Sequence, residues 1–140
     1  MKFRAKIFSD LIVRKHFLIG VLLVFAFFSS FAQVKITEIL NAIKQGDAKT
    51  LSTNFDKQID LTFSDKTTTY SKKQAELIIQ KFFSKVEPRN FSDLQTGKSN
   101  FNNSNYAIGN MSTSNGVYKV YMFFVQKNGM FVMRELRFEK

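Results

Sequence analysis

Residues 106 to 138 read YAIGNMSTSNGVYKVYMFFVQKNGMFVMRELRF, and this stretch decides the fold. Two Asn-Gly pairs, Asn115-Gly116 and Asn128-Gly129, interrupt runs rich in Tyr, Phe, Val and Met. A two-residue type I′ turn needs positive φ at both central positions, which Asn and Gly tolerate best, so the pairs predict two tight hairpins joining three antiparallel strands. With the pairs as loops, Asn110 stands opposite Tyr121 in the first hairpin and Phe123 opposite Arg134 in the second. Side chains alternate along a strand, so this register sorts them into two faces. One face collects Tyr106, Ile108, Asn110, Ser112, Lys119, Tyr121, Phe123, Val125, Val132, Arg134, Leu136 and Phe138, and is expected to look inward. The other collects Ala107, Gly109, Met111, Thr113, Tyr118, Val120, Met122, Phe124, Phe131, Met133, Glu135 and Arg137. Both are largely apolar, and the helices upstream can cover only one, so the outer face is expected to be covered by a second copy of the chain. Its rim charges, Glu135 and Arg137, are the competing explanation for solubility.

Upstream of the strands the periodicity changes. Ile36, Ile39, Leu40 and Ile43 mark one stripe of a helix starting near Val34 and closed by Gly46, after which Asp47 reads as the N-cap of a short helix that buries Ala48, Leu51 and Phe55. Ile59, Leu61 and Phe63 alternate with Asp60, Thr62 and Ser64, and a turn over Ser64-Asp65-Lys66 returns the chain through Thr67 to Tyr70 as a hairpin. Ser71 with Gln74 three residues on is a capping box, opening an amphipathic helix marked by Ala75, Ile78, Ile79, Phe82 and Val86. Pro88, the single proline, stops it. A strand over Phe91 to Lys98 and a polar loop over Ser99 to Ser104 lead into the three hairpin strands.

Composition removes whole classes of chemistry. The chain has no Cys and one His, His16, which lies in the N-terminal segment. Ser-His-Asp and Cys-His catalysis, thiol chemistry and the usual zinc sites are therefore unavailable to the rest of the chain, and no Asp-x-Asp-x-Asp-Gly loop suggests calcium. No cofactor or metal is expected. Net charge is +10, of which Lys2, Arg4, Lys6, Arg14 and Lys15 against Asp10 account for four. The remaining lysines are spread along the chain as on a solvated surface, so a nucleic-acid partner is not expected.

The first 32 residues read as a signal peptide. A basic region ends at Arg14-Lys15-His16, the apolar run FLIGVLLVFAFF spans Phe17 to Phe28, and Ser30 and Ala32 supply the small residues that precede a cleavage at Gln33. That run is shorter than the roughly 18 to 20 residues of a spanning helix, so no stable membrane span is expected after cleavage. Residues 33–140 then form one domain, periplasmic or secreted.

Several stretches resemble a family of exported bacterial domains of unknown function with the nuclear transport factor 2-like, or cystatin-like, fold. They are Tyr70-Ser71-Lys72 with Gln74-Ala75-Glu76, Phe82-Phe83, Pro88 and Phe91, Tyr106-Ala107-Ile108-Gly109, Asn115-Gly116 with Tyr118-Lys119-Val120-Tyr121, and Leu136-Arg137. The resemblance implies an α+β roll, with helices and one long helix packed on a curved antiparallel sheet around a pocket, and it carries no catalytic residue.

Three functions fit these residues. The first is a non-catalytic binding and association module of the cell envelope, a homodimer through the outer sheet face, whose pocket takes a small apolar or anionic ligand. Tyr121, Arg134, Asn110 and Phe123 are its candidate ligand-binding residues, because they put polar groups among apolar ones on the face read as inward. Arg134 would fork onto a carboxylate or phosphate, unless it is an edge-strand arginine whose head reaches water. The second is a small isomerase- or dehydratase-like enzyme using an Asp and a Tyr in the same pocket. It requires an inward carboxylate, and only Asp93 qualifies, because Glu135 and Glu139 pair outward and Asp60 alternates away. The third is an adaptor that uses positive charge on anionic lipid or glycan and lets go as salt rises.

Overall fold

Asn128 and Gly129 adopt φ of +50° and +76°, and Lys127 pairs with Met130 across them, so the second Asn-Gly pair is the expected two-residue turn. The computed structural model describes residues 31–99 and 104–140. The leader, up to residue 30, and the centre of the polar loop lie outside the described residues. The chain divides into two compact units, Met1–Ile36 and Thr37–Lys140, and the second holds the sheet. Its elements are α1 (Phe31–Gln45, the part from Thr37), α2 (Ala48–Ser52), β1 (Phe55–Phe63), β2 (Lys66–Ser71), α3 (Lys72–Val86), β3 (Pro88–Ser99), β4 (Ser104–Thr113), β5 (Gly116–Lys127) and β6 (Met130–Glu139). No described helix is long and apolar enough to cross a membrane.

Local chemistry sets the helix ends. Gly46 takes φ of +66° to end α1, and Asp47 caps α2 by accepting from the Thr50 amide at 2.9 Å. Phe55, expected on the buried side of that helix, is buried but opens β1 instead. The Ser71 hydroxyl accepts from the Gln74 amide while the Gln74 side chain accepts from the Ser71 amide, a complete capping box at the start of α3. Glu87 turns left-handed at φ of +52°, and Pro88 begins β3.

The six strands form one curved sheet in the order β2-β1-β6-β5-β4-β3. All neighbours are antiparallel except β1 and β6, which run parallel. This α+β arrangement of helices on a sheet is the expected class. Its register differs from the expectation in two places.

In the first hairpin the loop is Ser114-Asn115, with Thr113 opposite Gly116. Only Gly116 takes positive φ, +112°, and the Thr113 hydroxyl donates to the Gly116 carbonyl at 2.7 Å while accepting from the Asn115 amide at 3.1 Å. The turn is thus displaced by one residue, which moves each partner by two. A shift of two preserves the faces, so Ile108 still shares a side with Tyr121.

The second departure has larger consequences. Phe124 pairs with Met133, but Phe123 pairs with Glu135, so Arg134 is an extra residue that bulges β6. Beyond it every side chain changes face. Leu136 and Phe138 now stand beside Met122 and Val120, and Glu135 and Arg137 stand beside Phe123 and Tyr121.

The face assignment is corrected accordingly. The side against the helices carries Ala107, Met111, Val120, Met122, Phe124, Met133, Leu136 and Phe138, all buried. Tyr106, Ile108, Asn110, Tyr121 and Phe123, expected to look inward, look away from the helices and are half-buried or exposed. Of the face assigned to a partner copy, the part on β4, β5 and Met133 is the one that the helices already cover, while Glu135 and Arg137 do lie on the open side, and Leu136 and Phe138 do look inward. Under α3 lies an aromatic cluster. The ring of Phe82 lies 4.9 Å from Phe63, 4.8 Å from Phe138 and 5.4 Å from Tyr118, and Phe83 stands edge-on to Phe138.

Candidate functional site

Where the sheet turns away from the helices, side chains line up in rows that cross the strands. One row runs Gly97, Tyr106, Phe123, Glu135, Asp60, Thr69, and the next runs Gln95, Ile108, Tyr121, Arg137, Thr62, Thr67. The rows are aromatic and aliphatic over β4 and β5 and become charged and hydroxylated over β6, β1 and β2. Between them lies an open groove of about 230 Å³ lined by Tyr106, Ile108, Tyr121, Met122, Phe123, Glu135 and Arg137.

Two features hold the groove in shape. Tyr106 lies flat on Gly97, where a Cβ would come within 2.3 Å of the ring, so the glycine makes the platform possible. Arg137 is clamped between acids two residues away on either side, donating to Glu135 at 3.0 Å and to Glu139 at 3.2 Å. Those two carboxylates, Glu135 foremost, raise its basicity above that of an ordinary arginine. Its guanidinium sits 5.8 Å from the centroid of the Tyr121 ring, and Lys119 Nζ lies 5.5 Å from the same ring. The Arg137 Nε is buried without a hydrogen-bond partner.

Of the four residues the sequence singled out, Tyr121 and Phe123 line the groove. Asn110 lies one row further along, opposite Lys119, and its amide donates to Asp93 at 2.8 Å. Asp93 itself takes φ of +54° where β3 bulges, is exposed, and also accepts from Ser92. It belongs to the outer rim of the sheet and faces no inward pocket, contrary to the expectation.

Arg134 is elsewhere. Its Nη1 donates at 3.2 Å to Asp56, whose carboxylate also accepts from Lys127 at 2.8 and 2.9 Å and from the Lys57 amide at 2.7 Å. The Asp56 side chain is only 5% exposed, yet these donors, Lys127 first, outweigh burial and hold its pKa down to about 2. The cluster ties the start of β1 to the end of β5 and to the bulge. Arg134 thus binds an acid of its own chain through Nη1 while its side chain stays 49% exposed to water, on an interior strand and not an edge one.

Glu135 and Arg137 were missed as site residues because a bulge leaves no mark on hydrophobic periodicity. The signal available was the alternation Glu135, Arg137, Glu139, which identifies the wet side of β6 once the extra residue is allowed. Among the described residues no three His, Cys, Asp or Glu side chains gather as metal ligands.

A family profile described as a domain of unknown function, DUF4783, matches residues 36–139. A DUF4783 protein of Bacteroides ovatus, 26% identical, superposes with a TM-score of 0.69 over 74% of this chain and 92% of its own. One from Bacteroides uniformis, 28% identical, gives the same TM-score over 74% of this chain and 94% of its own. A variant of an NTF2-type protein, 17% identical, superposes at 0.59 over 79% of this chain and 97% of its own, which is likeness of fold alone. No curated protein matches.

Proposed function

This chain belongs to the DUF4783 family, and on that premise we propose that it is an exported, non-catalytic association module of the cell envelope whose open sheet face pairs with a second copy. One observation carries the reading: aromatic side chains are collected on the one sheet face that no described element covers. Tyr106 is 40% exposed there, and Tyr121 and Phe123 lie beside it half-buried. The area is of the right order. Six strands about 4.8 Å apart and about 30 Å long present on the order of 800 Å², comparable to the roughly 800 Å² per partner of a standard interface.

A second copy suits this face better than a small ligand does. The groove, at about 230 Å³, is open and below the roughly 300 to 1,000 Å³ of pockets that enclose a ligand. Both arginines that could fork onto an anion are engaged, Arg134 by Asp56 and Arg137 by two glutamates. The same pairing weighs against the isomerase- or dehydratase-like alternative. Glu135, the carboxylate that lines the groove, is tied to Arg137 on a wet face, whereas a general base needs a sheltered site within reach of substrate. Export rests on the leader of residues 1–32.

Sedimentation velocity on the purified protein tests the reading. The expected result is a dimer that Phe123→Glu converts to a monomer with an unchanged far-ultraviolet circular dichroism spectrum and a melting temperature that no longer depends on protein concentration. A wild-type protein that stays monomeric up to high micromolar concentration would overturn it.

A further inference from the structure

We infer that the outer band of α3 is a docking surface for an anionic lipid bilayer. Lys73, Leu77, Lys81 and Lys85 follow one another at four-residue spacing, which keeps them on one side of a helix. With Gln80 and Ser84 between them, the band contains no acid. The nearby Glu76 is turned to its flank, with a side chain 18% exposed and bound to Lys73 at 3.0 Å and to Ser52 at 3.1 Å.

The band is unusual for its apolar centre. Leu77 is 47% exposed, although the same helix buries Ala75, Ile79, Phe83 and Val86 completely. Nothing in the packing of the domain uses Leu77, since it points away from the sheet. A leucine ringed by lysines suits the boundary between headgroups and acyl chains, where the apolar side chain enters the membrane and the ammonium groups stay among the phosphates. All three cations are lysines, compact charges suited to a diffuse anionic surface; no guanidinium fork is present for a single phosphate.

Charge is also distributed to orient the molecule. The open sheet face holds Asp60, Asp93, Glu135 and Glu139 against Lys119, Lys127 and Arg137 and is close to neutral, whereas the α3 band carries three lysines with Glu76 on its flank and Glu87 beyond its end. A negatively charged bilayer would therefore attract the α3 band more strongly than the sheet face. A soluble sulfated glycan would share the attraction to lysine and gain nothing from Leu77.

The test uses vesicles of equal parts phosphatidylcholine and phosphatidylglycerol. The chain has no cysteine, so Ser84→Cys accepts one environment-sensitive dye on the band, and Thr96→Cys, on an exposed strand, serves as the comparison. Vesicles are expected to shift the dye at residue 84 to the blue and to leave the dye at residue 96 unchanged. Lys73→Gln, Lys81→Gln and Lys85→Gln together are expected to weaken that response roughly a hundredfold. Lys57→Gln, Lys66→Gln and Lys98→Gln, which remove the same charge from exposed strand positions, are expected to change it far less. Leu77→Gln is expected to weaken it several-fold. Equal dye shifts at residues 84 and 96, or equal losses from the two lysine triples, would overturn the inference. So would a heparin complex that depends on the α3 lysines while vesicle binding ignores Leu77. Because none of these variants touches the open sheet face, the outcome is independent of the dimer test.

Discussion

Phe91 lies directly over Gly109: a Cβ at residue 109 would stand 2.1 Å from the Phe91 ring and 2.9 Å from the Ser92 carbonyl oxygen. The ring closes the space that a side chain would otherwise fill, at the junction of β3 and β4. Gly109→Ala is therefore expected to force both the ring and the edge strand outward and to cost about 2 kcal/mol. Urea denaturation checks it, and a loss below about 0.5 kcal/mol would show that β3 yields freely.

Acid should unfasten the clamp at Asp56. Its pKa in the folded protein, about 2, lies below the roughly 3.9 of an unfolded aspartate, so its contribution to stability is complete above that unfolded value and disappears as pH falls toward 2. The magnitude is on the order of 2 kcal/mol. Wild type and Asp56→Asn should differ by about this much at pH 6 and converge near pH 2 in thermal melts. A constant difference across that range would show that the carboxylate charge is not what matters.

The bulge at Arg134 implies opposite roles for two phenylalanines that periodicity alone would treat alike. Phe138 is 1% exposed among the rings under α3, so Phe138→Ala should cost about 3 to 5 kcal/mol. Phe123, on the uncovered face, should cost less than about 1.5 kcal/mol as alanine while weakening self-association. Equilibrium unfolding of the two variants decides, and the reverse order would mean that β6 has no extra residue.

The two Asn-Gly turns should respond differently to alanine. Asn128 takes φ of +50° and Asn115 does not, so Asn128→Ala should destabilise by about 1 kcal/mol and Asn115→Ala by clearly less. Gly116→Ala, at φ of +112°, should be the most costly of the three. Paired chevron or melting experiments on these variants would expose a wrong turn assignment immediately.

Removing the Ser71 hydroxyl should loosen the start of α3. Ser71→Ala breaks the box with Gln74 and is expected to cost about 1 kcal/mol. Ser71→Asp, which keeps an acceptor at the cap, should restore most of that, and melting temperatures of the pair report it.

Signals confined to a few neighbouring residues were legible in advance. The Ser71–Gln74 box, the Asp47 cap, the left-handed Gly46, the stop at Pro88 and the Asn128-Gly129 turn all depend on chemistry within one turn of chain, and each stands where the residues put it. The resemblance supplied the roll, and the family match agrees with it. Facing was not legible, because it accumulates along a strand. Asn115 yielded the positive φ to Gly116 alone, a change harmless to the faces, whereas Arg134 was squeezed out between the turn at one end of β6 and the pairing with β1 at the other. Tyr121 and Phe123 share a groove on the side away from the helices, and Glu135 and Arg137 join them there once Arg134 is counted as an extra residue.

Phe63, Phe82, Phe83 and Phe138 stack into one aromatic cluster, in which Phe83 and Phe138 are buried and Phe63 and Phe82 half-buried. A receptor chamber could be made in this cluster by subtraction: trimming Phe138, which is 1% exposed, would leave an apolar void of the kind that admits benzene or xenon. New internal chemistry would therefore arrive at the expense of rigidity.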